Sequence, residues 1–325
     1  MQIGVVLDIL WPFEQIRRLA MAAEDAGFDQ VWISDHPLGL DPFLVVLRLA
    51  SELPRIQLGI GTINPSARHP AVLAASAATL NQMIGGRFSL GIGSSINPLL
   101  HPIGLDVAGQ VTRCREAIRI IRQLLEDGGS TFSGEMFSTL DAKLRFDSGG
   151  PLPVLVGASG APKMLRMSGE EAHGVIIPAG NRAFYRYAVD AFRHAMRDAG
   201  REGEGAVVLN GNIAVSDDSD AALRSIKPLV ADAIAHRAES EFSLRYMGVT
   251  LEQAHAWRDD PDSLPDDVTR ESAIAGTPDE CVEGLLNFSR WGITQLSLRF
   301  PEEATIRAVG ETVLPRLKAR LSDSV

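Results

Sequence analysis

The chain has 325 residues, of which 45% are hydrophobic and 22% charged, and a net charge of −10. This balance is typical of a globular protein, and the acidic surface argues against nucleic acid and anionic membranes as partners. No apolar run reaches membrane-spanning length, the N-terminus shows no signal-peptide pattern, and Cys114 and Cys281 form no disulfide framework. We therefore expect a cytoplasmic protein.

Strand-like and helix-like segments alternate from the first residue. Apolar runs bounded by glycine or polar residues predict strands, and apolar side chains at helical spacing predict helices. The predicted strands are 2–7, 30–34, 56–61, 87–91, 153–156, 174–177, 206–215 and 294–298. The predicted helices are 14–26, 43–53, 70–84, 107–126, 162–169, 183–199, about 219–237, 278–290 and 302–321.

Two segments interrupt this alternation. Residues 127–150 predict a surface hairpin and loop, and residues 238–275 predict an insertion of short helices that covers one end of the fold. The remaining strand–helix pairs favour an α/β fold, a (β/α)8 TIM barrel with insertions at its C-terminal face, in a single domain over residues 1–325. A doubly wound open sheet is the alternative.

In such a barrel, functional residues lie at the carboxyl ends of the strands. The set found there is rich in glycine, hydroxyl and amide groups and poor in metal ligands, and the histidines form no metal-binding pair, so we expect no metal site. Its members are Asp8 and residues 34–36, 61–65, 93–97, 157–160 and 178–180.

Several of these residues have both a functional and an ordinary interpretation. Asp35 and His36 could form an acid–base pair or serve only as turn residues, and neighbours on a strand point in opposite directions. Residues 157–160, before a helix, form a candidate anion cradle or an ordinary strand-to-helix turn. Arg68 could meet an anionic ligand, although a solvated surface charge is the commoner case, and Trp11 could wall an apolar pocket or pack in the core.

Residues 58–93 resemble the bacterial luciferase-like superfamily. The resemblance rests on Gly-Thr-Ile-Asn-Pro at 61–65, Arg-His-Pro at 68–70, the Ala-rich helix and Gly-Ile-Gly at 91–93. Supporting segments lie at 22–28, 34–36, 153–158 and 276–280. The pattern resembles in particular the deazaflavin-dependent branch that includes methylenetetrahydromethanopterin reductase.

The resemblance implies an oxidoreductase that transfers a hydride between coenzyme F-420 and a small organic substrate. An FMN-dependent monooxygenase and a non-catalytic cofactor-binding barrel are the alternatives. It also implies a homodimer or higher homo-oligomer, for which the helices at 70–84 and 107–126 carry enough small residues.

The same resemblance assigns site residues. Asp35 and His36 would lie near the polar ring of the cofactor and the substrate, as the catalytic residues. A bulge with a non-prolyl cis peptide bond at Gly61–Thr62 or its neighbour would back the ring. The implied cofactor-binding residues are Gly61, Thr62, Ile63, Asn64, Gly157, Ala158, Ser159, Gly160 and Ala161.

Two departures from the family pattern stand out. Ala-His-Gly at 172–174 replaces the usual Ala-Asp-Gly, for which we expect structural consequences only. Ser94 and Ser95 stand where the sugar-phosphate dehydrogenase branch carries an acidic residue, which makes a sugar phosphate a less favoured substrate.

Overall fold

The computed structural model describes residues 1–94, 97–105, 108–201, 203, 205–236, 241–300 and 302–322. The strands in this part of the chain are β1 (Gln2–Leu7), β2 (Gln30–Ile33), β3 (Gln57–Ile63), β4 (Phe88–Gly93), β5 (Gly129–Ser133), β6 (Ser138–Lys143), β7 (Val154–Gly157), β8 (Gly174–Ile177), β9 (Ala206–Val215), β10 (Ile274–Gly276) and β11 (Gln295–Arg299).

Eight parallel strands close into a barrel in the order β1, β2, β3, β4, β7, β8, β9 and β11, and β11 pairs with β1. The predicted (β/α)8 barrel is therefore confirmed, and the open doubly wound sheet is wrong. β5 and β6 form the predicted antiparallel hairpin outside the barrel.

Helices follow the barrel strands and surround them. Their bounds are α1 (Phe13–Asp25), α2 (Pro42–Ala50), α3 (Pro70–Met83), α4 (Asn97–Leu100), α5 (Gln110–Glu126), α6 (Pro162–Glu171), α7 (Arg182–Asp198), α8 (Ser219–His236), α9 (Glu241–Met247), α10 (Leu251–Asp259), α11 (Asp266–Ser272), α12 (Pro278–Arg290), α13 (Glu303–Ala308) and α14 (Leu314–Ser322), with a π-helical turn at Val309–Val313. No helix in these ranges is both long and apolar enough to cross a bilayer.

One tryptophan fills much of the barrel interior. Trp32 on β2 packs with Leu155, Ile176 and Val208 from three other strands. A Cβ atom added to Gly59 would lie 2.5 Å from the Trp32 ring, so β3 carries glycine where its neighbour's side chain needs the room. The indole Nε1–H donates to the Gln30 side chain at 2.9 Å, which satisfies the one polar atom that the ring buries.

The predicted insertion forms α9, α10 and α11, together with a strand that the sequence did not predict. That strand, β10, pairs in parallel with the far end of the long strand β9. The Ser243 hydroxyl on α9 donates to the Ser159 carbonyl at 2.6 Å, which places the insertion over the carboxyl end of β7. The described part of this segment thus contacts the C-terminal face, whereas residues 238–240 lie outside the described residues, as do the predicted helix ends at 107 and 237.

Candidate active site

The end of β3 is irregular, and its neighbours make room for it. The register of β3 against β4 changes between Ile60 and Ile63. The Gly61–Thr62 peptide bond is cis, at the position that the resemblance implied. A Cβ atom on Gly93 would lie 2.3 Å from Thr62 Oγ1, and one on Gly157 would lie 2.7 Å from Thr62 Cγ2. The glycines that end β4 and β7 therefore leave the space that the Thr62 side chain occupies.

Asp35 lies beside this bulge, just beyond the end of β2. Its carboxylate accepts a hydrogen bond from the backbone N–H of Asn64. The pKa of Asp35 is raised from its ordinary 3.8 to about 6, chiefly by burial, with the positive charge of Arg68 opposing the rise and the nearby Asp41 adding to it. Asp35 can therefore hold or release a proton close to neutral pH.

Arg68 is a fixed group rather than a solvated surface charge. Its guanidinium forms an ion pair with Asp41, the side-chain cap of α2. It also lies over the Phe43 ring, with 5.4 Å between Cζ and the ring centroid. Two contacts of this kind hold a positive charge at a defined place near Asp35.

His36 follows Asp35 and is half-buried. Its Nδ1 accepts a long hydrogen bond, 3.4 Å, from the backbone N–H of Leu38. A neutral imidazole that accepts at Nδ1 carries its proton on Nε2, which leaves Nε2–H as the donor.

Asn64 brings a buried donor to the same end of β3. The residue is 4% exposed, and its Oδ1 accepts from the Ser66 N–H at 2.7 Å. Its Nδ2 has no hydrogen-bond partner in the described residues. A buried donor without a partner costs about 1–3 kcal/mol, so this amide indicates a position where a ligand atom accepts a hydrogen bond.

Residues 157–161 form a turn that opens at a helix N-terminus. Gly160 has φ +91°, and a Cβ atom there would lie 2.4 Å from Phe184 Cε2, so only glycine fits. No side chain caps α6, since Ala161 stands at its N-cap. Pro162 has no N–H and the Met164 N–H donates to the Ala161 carbonyl at 3.0 Å, so the Lys163 N–H is the donor that the first turn offers to an anion.

A second region lies across the barrel mouth from this turn. A cavity of about 240 Å³ is lined by residues from β1, the residues after β2 and β8, β9, β11 and α8. Asp8 and Trp11, both considered from the sequence, lie in its wall together with Asn210, His236 and Arg299, which the sequence analysis missed. Arg299 ends β11, so extending the comparison of strand ends to the last strand would have found it.

Other predicted positions lie apart from these regions. Ser94 is exposed, and Ser95 and Ile96 lie outside the described residues. His173 lies at the opposite, amino end of the barrel, where its Nδ1 accepts from the Val154 N–H at 3.0 Å, so the change from Ala-Asp-Gly is remote from the site. In the part of the chain that the structure describes, no group of three His, Cys, Asp or Glu side chains is arranged to hold a metal ion.

Comparison with known proteins agrees with this architecture. The chain is 31% identical over 312 residues to a 5,10-methylenetetrahydromethanopterin reductase of Archaeoglobus fulgidus, covering 91% of this chain and 93% of that protein. It is 29% identical over 331 residues to an F-420-dependent glucose-6-phosphate dehydrogenase of Nakamurella multipartita, covering 94% and 93%. The structure of the coenzyme F-420-dependent tetrahydromethanopterin reductase of Methanopyrus kandleri superposes with a TM-score of 0.85 and 27% identity, covering 97% of this chain and 99% of that one.

A family model described as luciferase-like monooxygenase matches residues 4–295. The match covers nearly the whole chain, and the resemblance found in residues 58–93 is confirmed. The chain therefore belongs to the luciferase-like monooxygenase family.

Proposed function

We propose that this protein is a coenzyme F-420-dependent oxidoreductase that transfers a hydride between the deazaflavin and a small organic substrate. The observation that carries the proposal is the unpartnered, buried Nδ2 of Asn64 at the β3 bulge. The uncapped turn at 157–161 adds a place for a phosphate. Two of the three relatives described above, the Nakamurella multipartita dehydrogenase and the Methanopyrus kandleri reductase, are named as F-420-dependent enzymes, which supports this cofactor over FMN.

The residues that would hold the cofactor form a continuous wall. The bulge residues 61–64 would back the ring, Asn64 Nδ2 would donate to a polar ring atom, and residues 157–161 would bind the phosphate. Thr62 joins the two parts, since its side chain touches the backbone at Gly93 and Gly157. The residues present therefore fit a flat polar ring with an anionic tail.

When bound, a reduced deazaflavin supplies a hydride from its central ring. The protein must hold the substrate carbon that accepts it within roughly 3–3.5 Å. An acceptor that gains a hydride also needs a proton on its heteroatom. Asp35, with its pKa near 6, and the Nε2–H of His36 are the groups that we propose to hold that proton.

Titration of the purified protein with oxidised coenzyme F-420 and separately with FMN tests the proposal, with the absorbance change of each as the signal. We expect saturable binding of F-420. Asn64→Ala should weaken it about tenfold, the effect of one lost hydrogen bond in a buried site. Asn287→Ala, the same change at an exposed position on α12, should leave it unaltered. Tight FMN binding without any response to F-420 would instead identify a monooxygenase, and binding of neither would overturn the proposal.

We propose further that a second copy of the chain covers the outer face of α2 and α3. Leu44 on α2 and Val72 and Met83 on α3 are 67%, 57% and 61% exposed, and these apolar side chains are what a partner would bury. On α5, which the sequence also suggested, Arg119 pairs with Glu171 of α6. Sedimentation of the wild type should show a dimer or larger, and Val72→Glu should shift it to the monomer. A monomeric wild type would refute this arrangement.

A further inference from the structure

The barrel mouth has two halves with different chemistry. The proposed cofactor wall uses residues at the ends of β2, β3, β4 and β7. The cavity of about 240 Å³ draws mainly on β1, β9, β11 and α8, and it meets the cofactor wall at Ser34, the residue before Asp35; Pro178 and Ala179 after β8 complete its lining. Its volume is slightly below the roughly 300–1,000 Å³ of typical ligand sites, which suits a single ring system rather than a long chain.

The positive charge in this cavity is already neutralised. Arg299 Nη2 forms an ion pair with Asp232 Oδ2 at 3.0 Å, and both residues line the cavity. His236 is the other basic side chain among the described lining residues, and it is exposed at the rim of the cavity. The guanidinium of Arg299 is therefore not available as a free cation for a phosphate or carboxylate.

Asp8 is the charged group that remains available. Its Oδ1 accepts from the Leu10 N–H at 2.9 Å and from the Ser34 hydroxyl at 3.4 Å. The Ser34 oxygen is itself fixed by the Ile9 N–H at 2.9 Å. These contacts hold the carboxylate at the cavity wall, and in the described part of the chain its second oxygen has no recorded partner. A carboxylate placed in this way accepts N–H or O–H groups and repels anions.

The remaining wall is apolar and partly aromatic. Trp11 and Phe300 line the cavity, and Leu229 and Ala233 of α8 form its outer side. Aromatic side chains beside a single fixed acceptor suit a flat ring that carries a donor at one edge.

We propose that this cavity is the substrate half of the active site, and that it takes a small, uncharged or cationic ring compound whose N–H group binds Asp8. Phosphate esters and carboxylates are disfavoured there. This inference rests on the proposed hydride-transfer function, but it concerns residues that the cofactor wall does not use.

Ligand-observed NMR with pairs of ring compounds that differ in one group tests the inference without any cofactor. At pH 8, nicotinamide and nicotinate share a ring but offer a neutral amide or a carboxylate, and adenosine and adenosine 5′-phosphate form a second pair. We expect the neutral member of each pair to bind at least about tenfold more tightly than its anionic partner. Equal or tighter binding of the anions, or binding of no neutral probe, would overturn the inference.

Two variants locate the binding. Asp8→Asn should weaken the neutral probes about tenfold and reduce the discrimination against the anions, because the formal charge is lost. Ala233→Leu, which fills the cavity from α8, should reduce binding of all probes, and its melting temperature reports whether the fold is retained. Asp25→Asn, the same change at an exposed position at the end of α1, is the matched control and should behave as wild type. An Asp8→Asn protein that binds and discriminates like wild type would refute the role of Asp8.

These outcomes are separable from the test of the cofactor. If wild type binds the neutral probes but not coenzyme F-420, the proposed function fails while the selectivity of the cavity stands. If F-420 binds and the probe pairs show no preference, the proposed function stands while the selectivity of the cavity is refuted.

Discussion

The ionisation of Asp35 should make stability depend on pH in a way that one substitution removes. Burial raises the pKa of this carboxyl to about 6 in the folded protein, against an ordinary value of 3.8. A difference of one pH unit corresponds to about 1.36 kcal/mol, so ionised Asp35 costs the folded state at most about 3 kcal/mol. Neutral Asp35 contributes stability that is fully present below the unfolded pKa and is lost as the pH rises through 6.

The Asp35→Asn variant should therefore become more stable relative to the wild type as the pH rises. The amide stays neutral, so the free energy of unfolding of the variant minus that of wild type should increase by up to about 3 kcal/mol between about pH 4 and pH 7. Urea unfolding followed by circular dichroism at a series of pH values measures the difference. Asp25→Asn, at an exposed carboxylate, provides the baseline. Curves for Asp35→Asn and wild type that stay parallel across this range would refute the assignment.

A substitution of Arg68 tests the same assignment by changing the pKa of Asp35. Its positive charge opposes the effect of burial on Asp35, and Asp41 acts in the other direction. Arg68→Met removes that charge and should move the pH of the transition above 6. If Asp35 is the proton donor for the substrate, activity falls as its carboxyl ionises, so the alkaline limb of the pH–rate profile should follow the same shift.

Three further predictions concern the architecture of the site. Gly160→Ala should destabilise the protein and weaken F-420 binding, because the added Cβ would lie 2.4 Å from Phe184. Gly150 also has a positive φ, +104°, but a Cβ there would meet no other atom. Comparing the melting temperatures of Gly160→Ala and Gly150→Ala therefore separates the cost of the backbone conformation from the cost of the clash. Gly93→Ala should cost about 1–3 kcal/mol in urea unfolding through contact with Thr62, and Thr62→Ala in the same chain should recover part of it; a strictly additive pair would contradict this contact. Glu116→Gln should cost about 1–3 kcal/mol and speed hydrogen exchange at residues 135–137, whose N–H groups its buried carboxylate accepts at 2.8 to 2.9 Å; unchanged exchange there would show that the carboxylate does not hold the hairpin.

Alternating apolar periods and caps made the barrel predictable. Thr277 and Pro278, for example, are typical of the N-cap and first position of a helix and predict the start of α12. The structure shows a capping box there. β10 was not predictable in the same way, since three residues with an ordinary composition become a strand only because β9 extends far enough to pair with them. Its existence depends on the length of another element rather than on its own residues.

Some features of the candidate site could likewise be predicted from the sequence, and others could not. Gly61, Gly93 and Gly157 could be placed together from the sequence, because the carboxyl ends of parallel strands meet at one face of a barrel. The sequence could not reveal why those glycines are needed, which is the bulk of Thr62 and, deeper in the barrel, of Trp32.

The raised pKa of Asp35 is even less predictable from the sequence. It depends on how deeply the carboxyl is buried and on the Arg68–Asp41 ion pair, which brings together residues from the loops that follow β3 and β2. Arg68 taken alone is a common surface residue, and only its contacts with Asp41 and the Phe43 ring turn it into a fixed charge. With the positive charge of Arg68 held beside it, the buried carboxyl of Asp35 gains and loses its proton near pH 6. This proton exchange takes place at the edge of the proposed cofactor wall. Asp8, at the end of the neighbouring strand β1, is exposed and accepts hydrogen bonds instead. The two carboxylates thus have different environments, one suited to exchanging a proton and the other to holding a substrate donor.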